Sequence, residues 1–136
     1  MRVLALDYGM SRTGVALSDA MGLIASPYKV IPSKNYEKLL LAVGETLREA
    51  APDKVILGYP GRTDGEKSEM CLRVERFREE IKSRFGIEAE LIDEKYTTVI
   101  ASRMLHEGGI KAKEQRKTID AAAAAVLLQG YLDSHR

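Results

Sequence analysis

The sequence predicts one α/β domain on a mixed five-stranded sheet, a three-stranded antiparallel meander plus two parallel strands, with helices on both faces. Three observations carry that prediction. The first three apolar runs are joined by segments too short for a crossover, so they pair antiparallel. The later runs alternate with stretches of helical period, which return the chain for parallel pairing. A length of 136 residues suits a single domain spanning 1–136, and such a chain buries roughly two-thirds of its unfolded surface.

The elements follow in order. Val3 to Leu6 reads as a buried strand that ends in the turn Asp7-Tyr8-Gly9. Thr13 to Ser18 is a second strand and Leu23 to Ile31 a third. Pro27 removes a ladder donor, so the third strand belongs at a sheet edge or carries a bulge. Tyr36, Leu39, Leu40, Val43, Leu47 and Ala50 then recur at helical spacing, closed by Ala51-Pro52. Lys54 to Leu57 is a strand ending at Gly58-Tyr59-Pro60-Gly61, and Met70, Val74, Phe77, Ile81 and Phe85 stripe a helix that stops at Gly86. Ile87 to Ile92 forms the fifth strand, ending at Asp93-Glu94. Thr97 or Thr98 can cap a helix running to Gly108-Gly109. Lys111 to Lys117 reads as a basic segment, and the alanine-rich stretch from Thr118 to about Asp133 as the final helix.

Composition removes several classes of function. A single cysteine, Cys71, forms neither an internal disulfide nor a thiolate zinc site, which points to the reducing cytoplasm. No apolar run approaches the ~18 residues of a membrane span, and no secretory leader is visible behind Met1-Arg2. A soluble cytoplasmic protein with no membrane partner is expected. Asn35, Gln115 and Gln129 are the only side-chain amides, a scarcity that suits a thermophilic source. The formal charge of +1 (21 Lys and Arg against 20 Asp and Glu) argues at first sight against nucleic acid. A total conceals its distribution, and two divalent ions on the carboxylates would make it strongly positive.

Chemistry falls to the carboxylates. The two histidines, His106 and His135, lie beside no plausible nucleophile. Gly9 and Gly14 lack dinucleotide-fingerprint spacing, and the Walker lysine is missing. Asp7 ends the first strand, Asp93-Glu94 the fifth, and Asp120 opens the last helix. Alone, each has a plainer role: a turn residue, a loop polariser, a first-turn partner of the helix dipole. If the two strands end on one side and the helix packs across that edge, the acids converge. Converging carboxylates repel each other unless a hard divalent ion holds them together. Arg12 lies near Asp7 in any hairpin. Lys111, Lys113, Arg116 and Lys117 bracket Glu114, a net +3 that suits phosphate or merely a solvated loop. Arg73, Arg76 and Arg78, interleaved with Glu75, Glu79 and Glu80, read as a solvated face.

The stretch Leu-Ala-Leu-Asp-Tyr-Gly-Met-Ser-Arg-Thr-Gly-Val-Ala-Leu-Ser-Asp (4–19) closely resembles the opening motif of the YqgF family, also called RuvX. The resemblance continues through Gly58-Tyr59-Pro60 with Asp64-Gly65, Asp93-Glu94-Lys95-Tyr96-Thr97-Thr98, Lys117-Thr118-Ile119-Asp120 and Gln129-Gly130-Tyr131-Leu132. It implies an RNase H-like fold related to the RuvC resolvases, and a metal-dependent cytoplasmic nuclease using Mg²⁺ or Mn²⁺. The acids it carries over are Asp7, Glu94 and Asp120 as catalytic metal ligands, with Asp93 in reserve. It implies processing of the 5′ end of precursor 16S ribosomal RNA, or resolution of four-way DNA junctions. The partners are then structured RNA or branched DNA, with ribosome precursors, for a monomer or homodimer. Arg12, Lys95, Lys111, Lys113, Arg116 and Lys117 are the expected substrate contacts. Lys95 stands where the family usually has Arg and loses the planar fork; Arg62 stands where Asn is common. Two other readings remain on this superfold: an ATP-binding domain like those of sugar kinases, and a non-catalytic RNA-binding module.

Overall fold

The computed structural model describes residues 1–60, 68–93 and 112–135, with backbone alone for 112–120. Its elements run β1 (Val3–Asp7), β2 (Arg12–Ser18), β3 (Ala25–Pro32), α1 (Tyr36–Ala50), β4 (Lys54–Tyr59), α2 (Glu69–Phe85), β5 (Ala89–Asp93) and α3 (Ala112–Ser134). The strands form one five-stranded sheet in the order β3-β2-β1-β4-β5. β1 pairs antiparallel with β2 and β2 with β3, while β1–β4 and β4–β5 are parallel. The meander-plus-crossover reading therefore holds. The helix expected between Thr97 or Thr98 and Gly109 lies outside the described residues.

Pro27 does both things expected of it. β3 is an edge strand, and its register with β2 slips there: Val15 pairs with Lys29 but Ala16 with Pro27, leaving Tyr28 as the extra residue of a bulge. The strand itself begins at Ala25, two residues later than the apolar run from Leu23 suggested, because the Asp19 carboxylate holds the preceding turn. It accepts the amides of Leu23 at 2.8 Å, Ile24 at 2.9 Å and Met21 at 3.3 Å.

Strand alternation divides the core into two layers. Leu4 and Leu6 of β1, with Val15, Val55 and Leu57, pack against Leu39, Leu40 and Val43 of α1 and Val74, Phe77 and Ile81 of α2. Val3 and Ala5, with Ala16 and Ile56, pack against Ala124, Leu127, Leu128, Tyr131 and Leu132 of α3. Asn35 caps α1 by accepting the Lys38 amide at 3.1 Å, and Ser68 caps α2 by accepting the Cys71 amide at 3.2 Å. Cys71 is fully buried, as its place in a helix implied.

The last helix corrects the sequence reading. It starts at Ala112 rather than Thr118, so Lys113, Arg116 and Lys117 are helical and Asp120 sits more than two turns inside. The alanine-rich run from Thr118 marked the helix, and the cations before it read as a separate basic segment. High propensity across Ala-Lys-Glu-Gln-Arg-Lys carries the helix back through that segment.

Candidate active site at the carboxyl ends of the parallel strands

β1, β4 and β5 run in one direction, so Asp7, Tyr59 and Asp93 end their strands at one edge of the sheet. β2 begins at that edge, because Asp7 pairs with Gly14. Alternation places Asp7 with Val3 and Ala5 on the α3 face, and Arg12 with Ala16 on that same face. The expected neighbourhood of Asp7 and Arg12 follows from this register. The Gly9 turn between them is tight: a Cβ there would stand 2.3 Å from the Arg12 carbonyl oxygen. Only glycine lets the two backbones approach so closely.

The same alternation separates the two acids of β5. Ala89 and Leu91 pack with the α1/α2 layer and Ile92 with the α3 layer. Asp93 thus falls on the α1/α2 side, opposite Asp7. Glu94 lies outside the described residues, as do Lys95 and Lys111.

α3 runs antiparallel to β1. Its carboxyl end lies at the amino ends of β1 and β4, where the Lys54 ammonium sits 5.5 Å from the Tyr131 ring centre. Gln129 fastens it to β3, accepting the Ala25 amide at 2.9 Å and donating to the Leu23 carbonyl at 3.0 Å. Counting back from Tyr131, Asp120 lies about 16 Å up the helix. Asp7 lies about 13 Å up β1 from Val3, the partner of Lys54. The two positions therefore stand at nearly one level. In sequence along α3, Asp120 comes one turn before Ala124, and Lys113, Arg116 and Lys117 fall in the turns before it. Among the described residues no group of three or more His, Cys, Asp and Glu gathers as for a metal. Of the three expected ligands, only the Asp7 side chain belongs to that set.

Across the sheet lies a feature the sequence reading passed over. Tyr8 points away from Asp7, its ring 5.0 Å from that of Phe77. With Met10, Lys34, Tyr36, Arg73 and Arg76 it lines a pocket of about 250 Å³. Arg76 lies over the Tyr36 ring at 4.9 Å. Burial pushes the Tyr36 phenol above its ordinary range, against the pull of the Arg76 charge. Arg73 and Arg76 are thus not part of a uniformly solvated face. Their three-residue spacing on one side of α2 was the available signal.

Comparison with known proteins agrees with this architecture. The family model described as "RuvX: Holliday junction resolvase" matches residues 1–134. A relative from Burkholderia multivorans is 38% identical over 131 residues, 96% of this chain and 88% of its own. One from Ruminiclostridium cellulolyticum is 39% identical over 98% of this chain and 94% of its own. Both are designated as candidate pre-16S rRNA nucleases. Among solved structures, fowlpox virus resolvase bound to Holliday junction DNA superposes with a TM-score of 0.61 at 17% identity, covering 99% of both chains. Thermus thermophilus RuvC with its junction substrate also gives 0.61, at 16% identity over 99% of this chain and 96% of its own. These two likenesses show an RNase H-like fold. Arrangement and sequence together make the chain a member of the RuvX (YqgF) family.

Proposed function

We propose that the protein is a divalent-metal-dependent nuclease whose centre lies where β1, β5 and α3 meet. The observation that carries this reading is the shared face of Asp7 and Arg12 at the carboxyl edge of the sheet, toward which the amino end of α3 runs. Oxygen donors from three separate elements suit a hard cation such as Mg²⁺ or Mn²⁺. Asp7, Asp120 and Glu94 are the proposed ligands. Asp93, on the α1/α2 side of β5, is the reserve for Glu94. Bound there, the metal would lower the pKa of an attacking water and offset charge on the scissile phosphate.

The chain's own residues supply the rest. Arg12 donates toward the phosphate from the same face as Asp7. Lys113, Arg116 and Lys117 of α3 would steer and hold the backbone on either side of the cut, together with Lys95 and Lys111. The substrate proposed is structured precursor ribosomal RNA cut toward the 5′ end of 16S, in the cytoplasm, in keeping with the designation of the relatives at 38–39% identity. The family description favours a second reading, resolution of four-way DNA junctions. Symmetric incision of a junction would require two copies of the site, and so a homodimer.

The deciding assay offers precursor 16S RNA and four-way junctions to the protein with Mg²⁺, Mn²⁺ or EDTA. Cleavage of RNA that stops in EDTA supports the first reading, and paired symmetric nicks support the second. Asp7→Asn should reduce cleavage by at least about 100-fold, the scale lost with one electrostatic partner of a transition state. Retained metal-dependent cleavage by that variant would remove Asp7 from the site.

A further inference from the structure

We infer that the pocket between the β1 end and the α1/α2 layer is a phosphate subsite for the nucleic-acid strand leaving the active site. The inference rests on the nuclease reading for the identity of the strand, but on separate residues. Three cations line the pocket, Lys34, Arg73 and Arg76. Glu69 is the carboxylate that engages one of them, at 2.9 Å from Arg73, and it is itself largely exposed. Arg76 stacks on Tyr36. Lys34 is exposed.

Two buried donors at this place also lack partners. The Tyr36 hydroxyl and Arg73 Nε are shielded from solvent and make no hydrogen bond among the described residues. Leaving such groups unsatisfied costs about 1–3 kcal/mol each, more for a charged one. Three cations around one small pocket call for a ligand with negative charge and several acceptor oxygens. A phosphodiester has that chemistry, and guanidinium forks match it. At about 250 Å³ the pocket admits a backbone phosphate rather than a duplex.

The floor of the pocket is pre-built. Ser33, 5% exposed, shares a 2.7 Å hydrogen bond with the Thr13 hydroxyl and so ties the Lys34 segment to β2. Tyr8 follows Asp7 directly, and the two point to opposite faces. A strand cut at the α3 face would therefore pass over the end of β1 and set a flanking phosphate among Lys34, Arg73 and Arg76.

The test is a salt titration of affinity for a short fluorescein-labelled single-stranded RNA in EDTA, where cleavage does not intrude. Each neutralised phosphate contributes about 0.7 to the slope of log affinity against log salt on single strands. The triple variant Lys34→Gln/Arg73→Gln/Arg76→Gln should lower the slope by about that amount, and each single variant by a part of it. Lys82→Gln removes an exposed cation from α2 that pairs with Glu88 at 3.0 Å, and should leave the slope unchanged. Equal slopes for wild type and the three pocket variants would overturn the subsite. So would saturable binding of inorganic phosphate in the pocket with no effect on the RNA slope, because the site would then take a free anion. If the slopes fall but no metal-dependent cleavage is ever seen, the nuclease reading fails and the subsite stands.

Discussion

Asp19 shows how one exposed side chain can hold a turn. Its carboxylate accepts the amides of Ile24 and Leu23, and these backbone bonds hold its pKa below the usual carboxylate range. A depressed folded-state pKa contributes stability above the unfolded value near 3.9 and loses it as pH falls through the folded one. Asp19→Ala should therefore lower the melting midpoint at neutral pH, with the difference from wild type shrinking once the carboxylate is protonated in both states. Ala51 closes α1 in the left-handed region at φ 44°, where an L side chain is strained. Ala51→Gly should stabilise by about 0.5–1 kcal/mol once the extra freedom of the unfolded chain is subtracted, measured by denaturant midpoint. At Gly9 the effect runs the other way. Gly9→Ala must displace the Arg12 backbone, so cleavage should fall more steeply than the melting temperature. These residues were unequally visible beforehand. Asp7 and Gly9 stood out because a strand end and a turn share one tripeptide. The partners of Asp19 did not, since three amides arrive from a turn whose shape no local pattern dictates.

At the scale of elements, α3 carries the greatest consequence. It covers one sheet face, fastens the edge strand through Gln129, and brings the Asp120 position to the level of Asp7. Gln129→Leu removes the partners of the Ala25 amide and the Leu23 carbonyl. A loss of about 1–3 kcal/mol is expected in urea unfolding. The antiparallel meander, the later parallel strands, the edge or bulge at Pro27 and helices on both faces were legible in the sequence, because alternation and helical period leave direct marks. The start of α3 was not: the charge of the 111–117 segment drew attention away from its helix-forming residues, Ala112 to Lys117. The cationic pocket was hidden for another reason. Arg73 and Arg76 gain meaning only from Tyr8 and Lys34, which lie far from them in sequence and meet them only in the folded protein.

For the whole molecule, the near-neutral total charge of +1 is a poor guide to what the protein binds. Cations stand on both sides of one sheet edge: Arg12 on one face, Lys34, Arg73 and Arg76 on the other. Affinity for nucleic acid should fall steeply with salt, and Mg²⁺ should strengthen it by cancelling the carboxylates that otherwise repel phosphate. A titration showing metal-independent affinity would contradict that expectation.

The layer between α3 and the sheet is filled unevenly. Near the strand amino ends it holds Leu127, Leu128, Tyr131 and Leu132, but toward the carboxyl edge the small Ala5, Ala16, Ala121 and Ala124 stand beside Ile56. Between these alanines the filling is thin, and its thickness would gauge the proposed metal centre. Ala124→Leu would act as a shim. It should cost about 1–3 kcal/mol of stability through overpacking, yet on the proposed function its larger effect should be on metal affinity, because it would widen the span between the proposed ligands Asp7 and Asp120. On that proposal, the smallest side chains in this interior would set the tolerance of the reaction centre.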